Sequence, residues 1–247
     1  MTSVTVPRSD ASTAPRNALL RLARRARTAV VRFDDALYER RLGIVSRATI
    51  EPSGLTIVAG DVHDGFLYVP TPAPLLRWVF RVIRVEPSEF TFVDLGSGLG
   101  RAVVAAARGG YRRSIGVEFA AELHELASRN VASLGHRASI ELVNGDAAAF
   151  VFPDDPLVVY LNNPFGERVM RGVLANLTRS YSERRRPIVV VYQQLRIEDP
   201  PHATRNLDLL GDVQFLRGME CVPDTLYSRL VNQQFRVCRF ASDEAPV

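Results

Sequence analysis

The chain contains no lysine: all 31 residues of its Lys+Arg total are arginine, set against 27 Asp and Glu and 4 His. So one-sided a choice of cation reads as compositional bias rather than as a binding device. The net charge of +4 leaves the chain open to an acidic partner without naming one. Cysteine is nearly absent too. Cys221 and Cys238 form neither a paired metal-ligand spacing nor a disulfide framework, which fits a reducing compartment. Long apolar runs are missing: none reaches the roughly 18 residues that cross a bilayer, so no transmembrane helix is expected. Internal repeats and low-complexity blocks are missing as well. What is present, 47% hydrophobic and 23% charged residues over 247 positions, suffices for one substantial α/β domain with length left for an N-terminal extension.

Residues 1–15 are rich in Ser, Thr, Pro and Ala and have little to bury, so disorder is expected there. Over 17–38 apolar residues recur at helical spacing: Leu19, Leu22, Ala26, Val30, Phe33 and Leu37 fall on one face. Arg21, Arg24, Arg25 and Arg32 lie largely elsewhere on the turns. The expected arrangement is a helix docked by its apolar face with its basic side in solvent. A contact with acidic lipid, nucleic acid or protein is the second reading. Residues 43–71 read as irregular, punctuated by Gly54, Gly60 and Gly65. Thr71-Pro72 then looks like a hydroxyl N-cap with proline in the first turn, opening a helix that buries Leu75, Leu76, Val79, Phe80 and Ile83.

From residue 91 strands and helices alternate. Strands are expected at 91–95, 114–118, 139–143, 157–161 and 188–192, and helices at 99–108, 120–132 and near 167–178. Such alternation implies a doubly wound, mostly parallel α/β sheet with ligands at the carboxyl ends of its strands. Candidate strands at 213–216 and 233–240 suggest a C-terminal antiparallel hairpin at one sheet edge.

The most specific signal is the run Phe92-Val93-Asp94-Leu95-Gly96-Ser97-Gly98-Leu99-Gly100-Arg101, a strand that enters a glycine turn and leaves it as a helix. Dinucleotide binders space these glycines G-x-G-x-x-G, whereas here the spacing is G-x-G-x-G. Asp94 precedes the turn by two residues, where a carboxylate repels a pyrophosphate but suits an ammonium. The next strand ends in Glu118, which can accept hydrogen bonds from both hydroxyls of a ribose. The third is followed by Asn144-Gly145-Asp146-Ala147, where a carboxylate can accept from an adenine amino group. Three acids at three successive strand ends fit a ligand with an amine, a ribose and an adenine, and no phosphate.

Residues 66–195 resemble the class I S-adenosylmethionine-dependent methyltransferases, a Rossmann-like family. The resemblance implies S-adenosylmethionine as cofactor. Asp94, Gly96, Ser97, Gly98 and Gly100 would hold its methionine part, Glu118 its ribose, and Asp146 with the Ala147 amide its adenine. The fourth strand ends Asn162-Asn163-Pro164-Phe165, which is similar to the Asn/Asp-Pro-Pro-Tyr motif of amino-group methyltransferases, departing at Asn163 and Phe165. It also resembles the Asn-Asn start of the corresponding loop in non-SET histone-lysine methyltransferases. By that likeness Asn163, Pro164 and Phe165 would position the acceptor, Phe165 offering its ring face, and Asn162 would border the cofactor. Tyr68-Val69-Pro70-Thr71 resembles a segment of the small lysine methyltransferases acting on the c subunit of ATP synthase, which implies that Tyr68 and Thr71 cover the methionine end. The stretch from Arg41 to Phe165 is also similar to bacterial methyltransferases of unassigned substrate.

The expected organisation is therefore a disordered 1–15, a basic helical and irregular extension at 16–71 packed on the core, and a methyltransferase domain at 72–247. The four histidines, His63, His124, His136 and His202, are scattered, and Asp61-Val62-His63-Asp64 has no diagnostic metal spacing, so no metal is expected. The absence of an obvious base tilts the acceptor toward nitrogen, a protein lysine or similar amine. Methylation of a small-molecule oxygen, carbon or nitrogen, or cofactor binding without catalysis, are the other readings. Without an aromatic-interleaved basic patch beyond the N-terminal helix, a nucleic-acid acceptor is disfavoured. The expected compartment is the cytoplasm, or the mitochondrial matrix if the Arg-rich start is a transit peptide.

Overall fold

The computed structural model describes residues 13–47, 50, 54–57, 68–134, 139–195, 201–216, 219–221, 225–230 and 233–239. Seven strands, β1 (Thr91–Leu95), β2 (Arg113–Glu118), β3 (Ile140–Asn144), β4 (Leu157–Asn162), β5 (Ile188–Leu195), β6 (Met219–Cys221) and β7 (Gln233–Arg239), form one sheet in the order β3-β2-β1-β4-β5-β7-β6. The first five run parallel, and β7 lies antiparallel to both of its neighbours.

The central strands are continuous apolar runs because helices cover both sheet faces. Alternation divides their side chains between two cores. Val93, Leu95, Val159 and Leu161 pack with α5 (Glu167–Glu183) and α6 (Pro201–Gly211). Phe92, Val158 and Tyr160 pack with α2 (Ala73–Ile83) and α3 (Arg101–Arg108). Two further helices, α4 (Ala121–Ala132) and α7 (Leu226–Leu230), complete the set with the N-terminal α1 (Thr13–Leu42).

All five expected parallel strands are present. β5 runs on to Leu195 because Gln193, Gln194 and Leu195 pair with Phe235, Gln234 and Gln233 of β7. The edge hairpin exists, but β6 and not residues 213–216 is its first strand; 213–216 is a turn after α6 that tucks Leu216 into the core. Helices α6 and α7 were not foreseen from the sequence. Thr71 does not cap α2 either. Pro72 occupies the cap position without a side-chain bond, and the Ala73 N–H donates instead to Asp35 Oδ1 of α1 at 2.9 Å.

The largest departure concerns α1, which spans Thr13–Leu42 rather than 17–38 and docks by a different face. Asp35, Tyr38, Glu39 and Leu42 are buried, while Val30 and Phe33 are 63% and 67% exposed and Leu37 is 40% exposed. The reason is a buried cation. Arg101, the first residue of α3, is 3% exposed. Its Nη1 donates to Asp35 Oδ1 at 2.8 Å and to the Thr71 carbonyl at 3.0 Å, its Nη2 to Glu39 Oε1 at 3.1 Å, and its Nε to Ser46 Oγ at 2.7 Å. Burial alone would raise the Glu39 carboxyl, but hydrogen bonds from Ser46 and Arg47 and the Arg101 charge outweigh it and hold the group below its ordinary value. A desolvated guanidinium needs counter-charges more than the helix needs to hide three apolar side chains.

Removing one partner of such a cluster strands the others in a dry environment. Arg101→Ala is expected to lower unfolding stability by about 3–5 kcal/mol in denaturant titration, with Arg101→Lys recovering little of it because an ammonium cannot reproduce the planar fork. An Arg101→Ala protein as stable as the parent would show that the cluster contributes nothing net.

Candidate active site

Because β3, β2 and β1 are neighbours, the three strand-end acids come to adjacent strand tips. Asp94 pairs in register with Gly116, and Glu118 with Asn144. The Asn144 Nδ2 and the Gly145 N–H both donate to the Glu118 carbonyl, at 2.7 and 3.0 Å, which clamps the tip of β3 to β2. Asp146 follows at once, half-buried; its Oδ1 accepts from the Ala148 N–H at 2.8 Å and caps a short 3-10 turn, Ala147–Ala149.

Glu118 spans the glycine turn. Its Oε2 accepts from the Gly98 N–H at 2.8 Å and its Oε1 from the Ala120 N–H at 3.0 Å. Burial pushes its carboxyl up, and the amides of Ala120, Gly98 and Phe119 oppose that rise. Asp94 has no such compensation. It is 4% exposed, its Oδ1 is buried with no hydrogen-bond partner among the described residues, and burial followed by the Glu118 charge raises its carboxyl to about 8. An acid in this state keeps its proton at neutral pH until a cation arrives. The buried Ser97 hydroxyl also lacks a partner among the described residues.

The turn is glycine by necessity at two positions. Gly96 and Gly98 have φ of 83° and 52°, the left-handed region that side chains disfavour. A Cβ on Gly96 would stand 2.4 Å from Pro164 Cβ, and one on Gly98 would stand 2.1 Å from the Tyr68 ring. These close approaches bring the strand-four loop and the upstream tyrosine, which the sequence had singled out separately, onto the same turn. Asn162 joins them: its Nδ2 donates to the Val69 carbonyl at 2.9 Å. Tyr68 donates its hydroxyl to the Ser46 carbonyl at 3.1 Å. The Thr71 hydroxyl is turned inward, 2.7 Å from the Tyr160 hydroxyl and 3.0 Å from Gln193 Oε1.

In the strand-four loop Asn163 adopts φ of 42°. Its Oδ1 accepts from the Tyr192 hydroxyl at 3.0 Å, and Asn206 Nδ2 donates to that hydroxyl at 3.1 Å and to the Phe165 carbonyl at 3.0 Å. Since Asn206 supplies the proton in its own bond, Tyr192 must direct its hydrogen at Asn163. Burial pushes the Tyr192 phenol up to about 12, so it remains a donor. Phe165 is 6% exposed and sits in the core with α5; its ring anchors the loop and is not presented at the surface for an acceptor.

Sequence reasoning missed Arg101 as a site-building residue, and also Tyr192 and Asn206. Arg101 left one trace, the pair Asp35 and Glu39 one turn apart in a helix otherwise rich in arginine. Tyr192 looked like a strand residue, and Asn206 belongs to a helix the pattern did not reveal. Among the described residues no group of three or more His, Cys, Asp or Glu is placed to hold a metal ion; Asp61, His63, Asp64 and His136 lie outside those residues. No helix among them is long and apolar enough to cross a membrane.

Comparison with known proteins finds a match to the family model "Histone methylation protein DOT1" over residues 63–147, about a third of the chain, ending before the strand-four loop. No curated protein sequence matches. Among solved structures, geranyl diphosphate C-methyltransferase from Streptomyces coelicolor A3(2), in complex with Mg2+, geranyl diphosphate and S-adenosyl-L-homocysteine, is similar with a TM-score of 0.50 and 14% identity, over 69% of this chain and 78% of that one. A geranyl diphosphate methyltransferase in complex with GPP and sinefungin gives a TM-score of 0.50 and 16% identity, over 68% of this chain and 78% of that one. The pyocyanin biosynthetic protein PhzM is 19% identical over 68% of this chain with a TM-score of 0.49, and this chain spans 56% of its length. The two geranyl diphosphate methyltransferase structures share the doubly wound fold.

The contact between turn and tyrosine is open to a double-mutant cycle. Gly98→Ala is expected to cost about 1–3 kcal/mol of stability from crowding and left-handed strain. Adding Tyr68→Ala should relieve the crowding part, giving a coupling of about 1 kcal/mol or more. Additive losses in the double variant would mean that the ring does not lie on the turn.

Proposed function

We propose that this chain, which has the class I S-adenosylmethionine-dependent methyltransferase fold, takes a methyl group from that cofactor and transfers it to an amine nitrogen, that of a protein lysine or a similar group. The observation that carries the cofactor reading is Asp94: a buried carboxyl oxygen without a partner among the described residues, below a turn that admits no side chain at Gly96 or Gly98. Such a site suits a ligand's ammonium and offers nothing to a pyrophosphate. The match to a histone methylation family over residues 63–147 supports the same reading.

The cofactor would be held by residues already described. Asp94, Gly96, Ser97, Gly98 and Gly100 would border its methionine part, with Tyr68 and Asn162 closing that side; Thr71, engaged with Tyr160, Gln193 and Arg101, would act only by holding that segment in place. Glu118 faces the ribose, since each oxygen that accepts an amide proton retains another lone pair. Asp146 and the Ala147 amide take the adenine. The bound cofactor supplies a methyl group already activated by a sulfonium, so the protein's task is alignment, which is worth on the order of 7 kcal/mol or more in favourable cases.

Asn163 is the residue we assign to the acceptor. With Tyr192 donating to one lone pair of Oδ1, the other lone pair and the loop carbonyls are left to accept from an incoming N–H. Pro164 fixes the loop against Gly96, and Phe165 pins it to the core. The loop 162–166 has no ionisable side chain, and the phenol behind it is held at about 12. That inventory suits a neutral amine, which needs no strong base at the transfer step, better than an alcohol, which does. Incubation with tritiated-methyl cofactor and fractionated lysate should place label in protein as methyl-lysine or another methylamine; label in a methyl ether or ester would overturn the nitrogen reading.

Two further outcomes are expected. The Asp94 carboxyl rises from 3.8 to about 8 in the fold, so it stabilises the ligand-free protein at low pH and loses that contribution as pH climbs through 8. Binding an ammonium reverses the preference and expels the proton. Affinity for S-adenosylhomocysteine should therefore rise with pH between about 5 and 8, with a calorimetric heat at pH 7 that depends on the buffer. Asp94→Asn should remove the buffer dependence and weaken binding by about 1–3 kcal/mol; a pH-independent parent would disprove this assignment of Asp94. Separately, Asn163→Ala should leave cofactor affinity nearly unchanged and lower turnover by about 10²-fold, Tyr192→Phe by less. A large loss of cofactor affinity in Asn163→Ala would move that residue into the cofactor pocket.

A further inference from the structure

The helix α1 presents two faces that do different work. Asp35, Tyr38, Glu39 and Leu42 are buried against the body, whereas Val30, Phe33 and Leu37 are exposed at 63%, 67% and 40%. With about 100° per residue, the centres of these two sets lie roughly 160° apart around the helix axis. The apolar stripe thus looks directly away from the domain that the buried face holds. Ala26 is exposed on the same stripe, and exposed Arg40 and Arg41 flank its far end.

Charge is distributed with equal bias. Between Asp10 and Asp34 the sequence has no acid and six arginines, Arg16, Arg21, Arg24, Arg25, Arg27 and Arg32, and α1 begins at Thr13. A second copy of this chain packed on the stripe would bring a second exposed Arg40 and Arg41 to the first pair, which disfavours self-pairing. A nucleic acid would answer the arginines but leave Val30, Phe33 and Leu37 in water. One kind of surface satisfies both features: an anionic bilayer, whose headgroups attract arginine and whose acyl boundary receives the apolar side chains.

We infer that α1 is an interfacial anchor that lays its Val30–Phe33–Leu37 stripe on an anionic lipid surface. The domain then stands on the opposite side of the helix. The anchoring needs no opening of the fold, because the face that binds Arg101 is not the face that meets lipid. The inference is independent of the methyl-transfer reading, since Val30, Phe33 and Leu37 are not among the residues assigned to the cofactor or the acceptor.

The test is flotation of the full chain with vesicles of phosphatidylcholine alone and of phosphatidylcholine with phosphatidylglycerol. Binding is expected to the anionic vesicles only and to fall as salt is raised. Phe33→Asp should reduce the bound fraction roughly tenfold or more, the factor for keeping an aromatic side chain out of apolar surroundings. A circular-dichroism spectrum and a melting temperature equal to the parent's would show that the variant is folded. Three results would overturn the inference: no binding to anionic vesicles, binding that Phe33→Asp leaves intact, or a stable dimer in light scattering that Phe33→Asp dissolves. Retention of single-stranded RNA without retention of vesicles would equally reject the lipid assignment in favour of a nucleic-acid face.

Discussion

The buried guanidinium of Arg101 is the constraint on which the rest of the site depends. A cation removed from water must be surrounded by acceptors, and these come from four places in the chain: Asp35 and Glu39 of α1, Ser46 after it, and the Thr71 carbonyl before α2. Three of those residues have a second duty. Asp35 receives the Ala73 N–H at the start of α2, Ser46 offers its carbonyl to Tyr68, and Thr71 connects to Tyr160 and Gln193. Through Tyr68 the network reaches Gly98, three residues before Arg101 itself. The turn that forms the cleft floor is thereby fixed from above and from behind by one desolvated charge.

Against that tightly satisfied cluster stands Asp94, left with an unpartnered oxygen and a neighbouring carboxylate. Natural sequences break local rules of polar satisfaction chiefly where function requires it. The contrast is instructive because both clusters lie at the amino end of α3. In one, four polar groups surround a buried cation; in the other, a buried carboxyl oxygen has no partner among the described residues.

The doubly wound core was legible because its signals are local and strong: apolar runs of strand length, glycines at a fixed spacing, and acids at successive strand ends. The convergence of Tyr68, Gly96, Gly98, Asn162 and Pro164 was legible only piecewise, since each motif pointed to the cleft without saying what touched what. The docking face of α1 was misread for a definite reason. Periodicity assigns burial to the most apolar stripe, and here a long-range ion cluster through Arg101 claimed Asp35 and Glu39 instead. Thr71 was misread in the same way, its hydroxyl drawn inward by Tyr160 while an acid from another helix capped α2. The support of Asn163 by Tyr192 and Asn206 spans residues from three elements, a relation that no spacing in a single segment can express.

The insertion of β7 between β5 and β6 bears on how the molecule is made. Residues 188–195 emerge from the ribosome well before 233–239, so β5 must wait as an open edge for its antiparallel partner. During that interval the buried side of β5 has no neighbour to receive the Gln193 carboxamide, which in the finished sheet donates to Gln233 Oε1 at 2.8 Å. The acid-bearing half, β1 to β3, is already threaded by then. Biogenesis therefore separates in time what the finished sheet unites: β1 to β3 can settle as a unit, while the β5 side stays vulnerable to edge-to-edge association until a late segment returns to seal it.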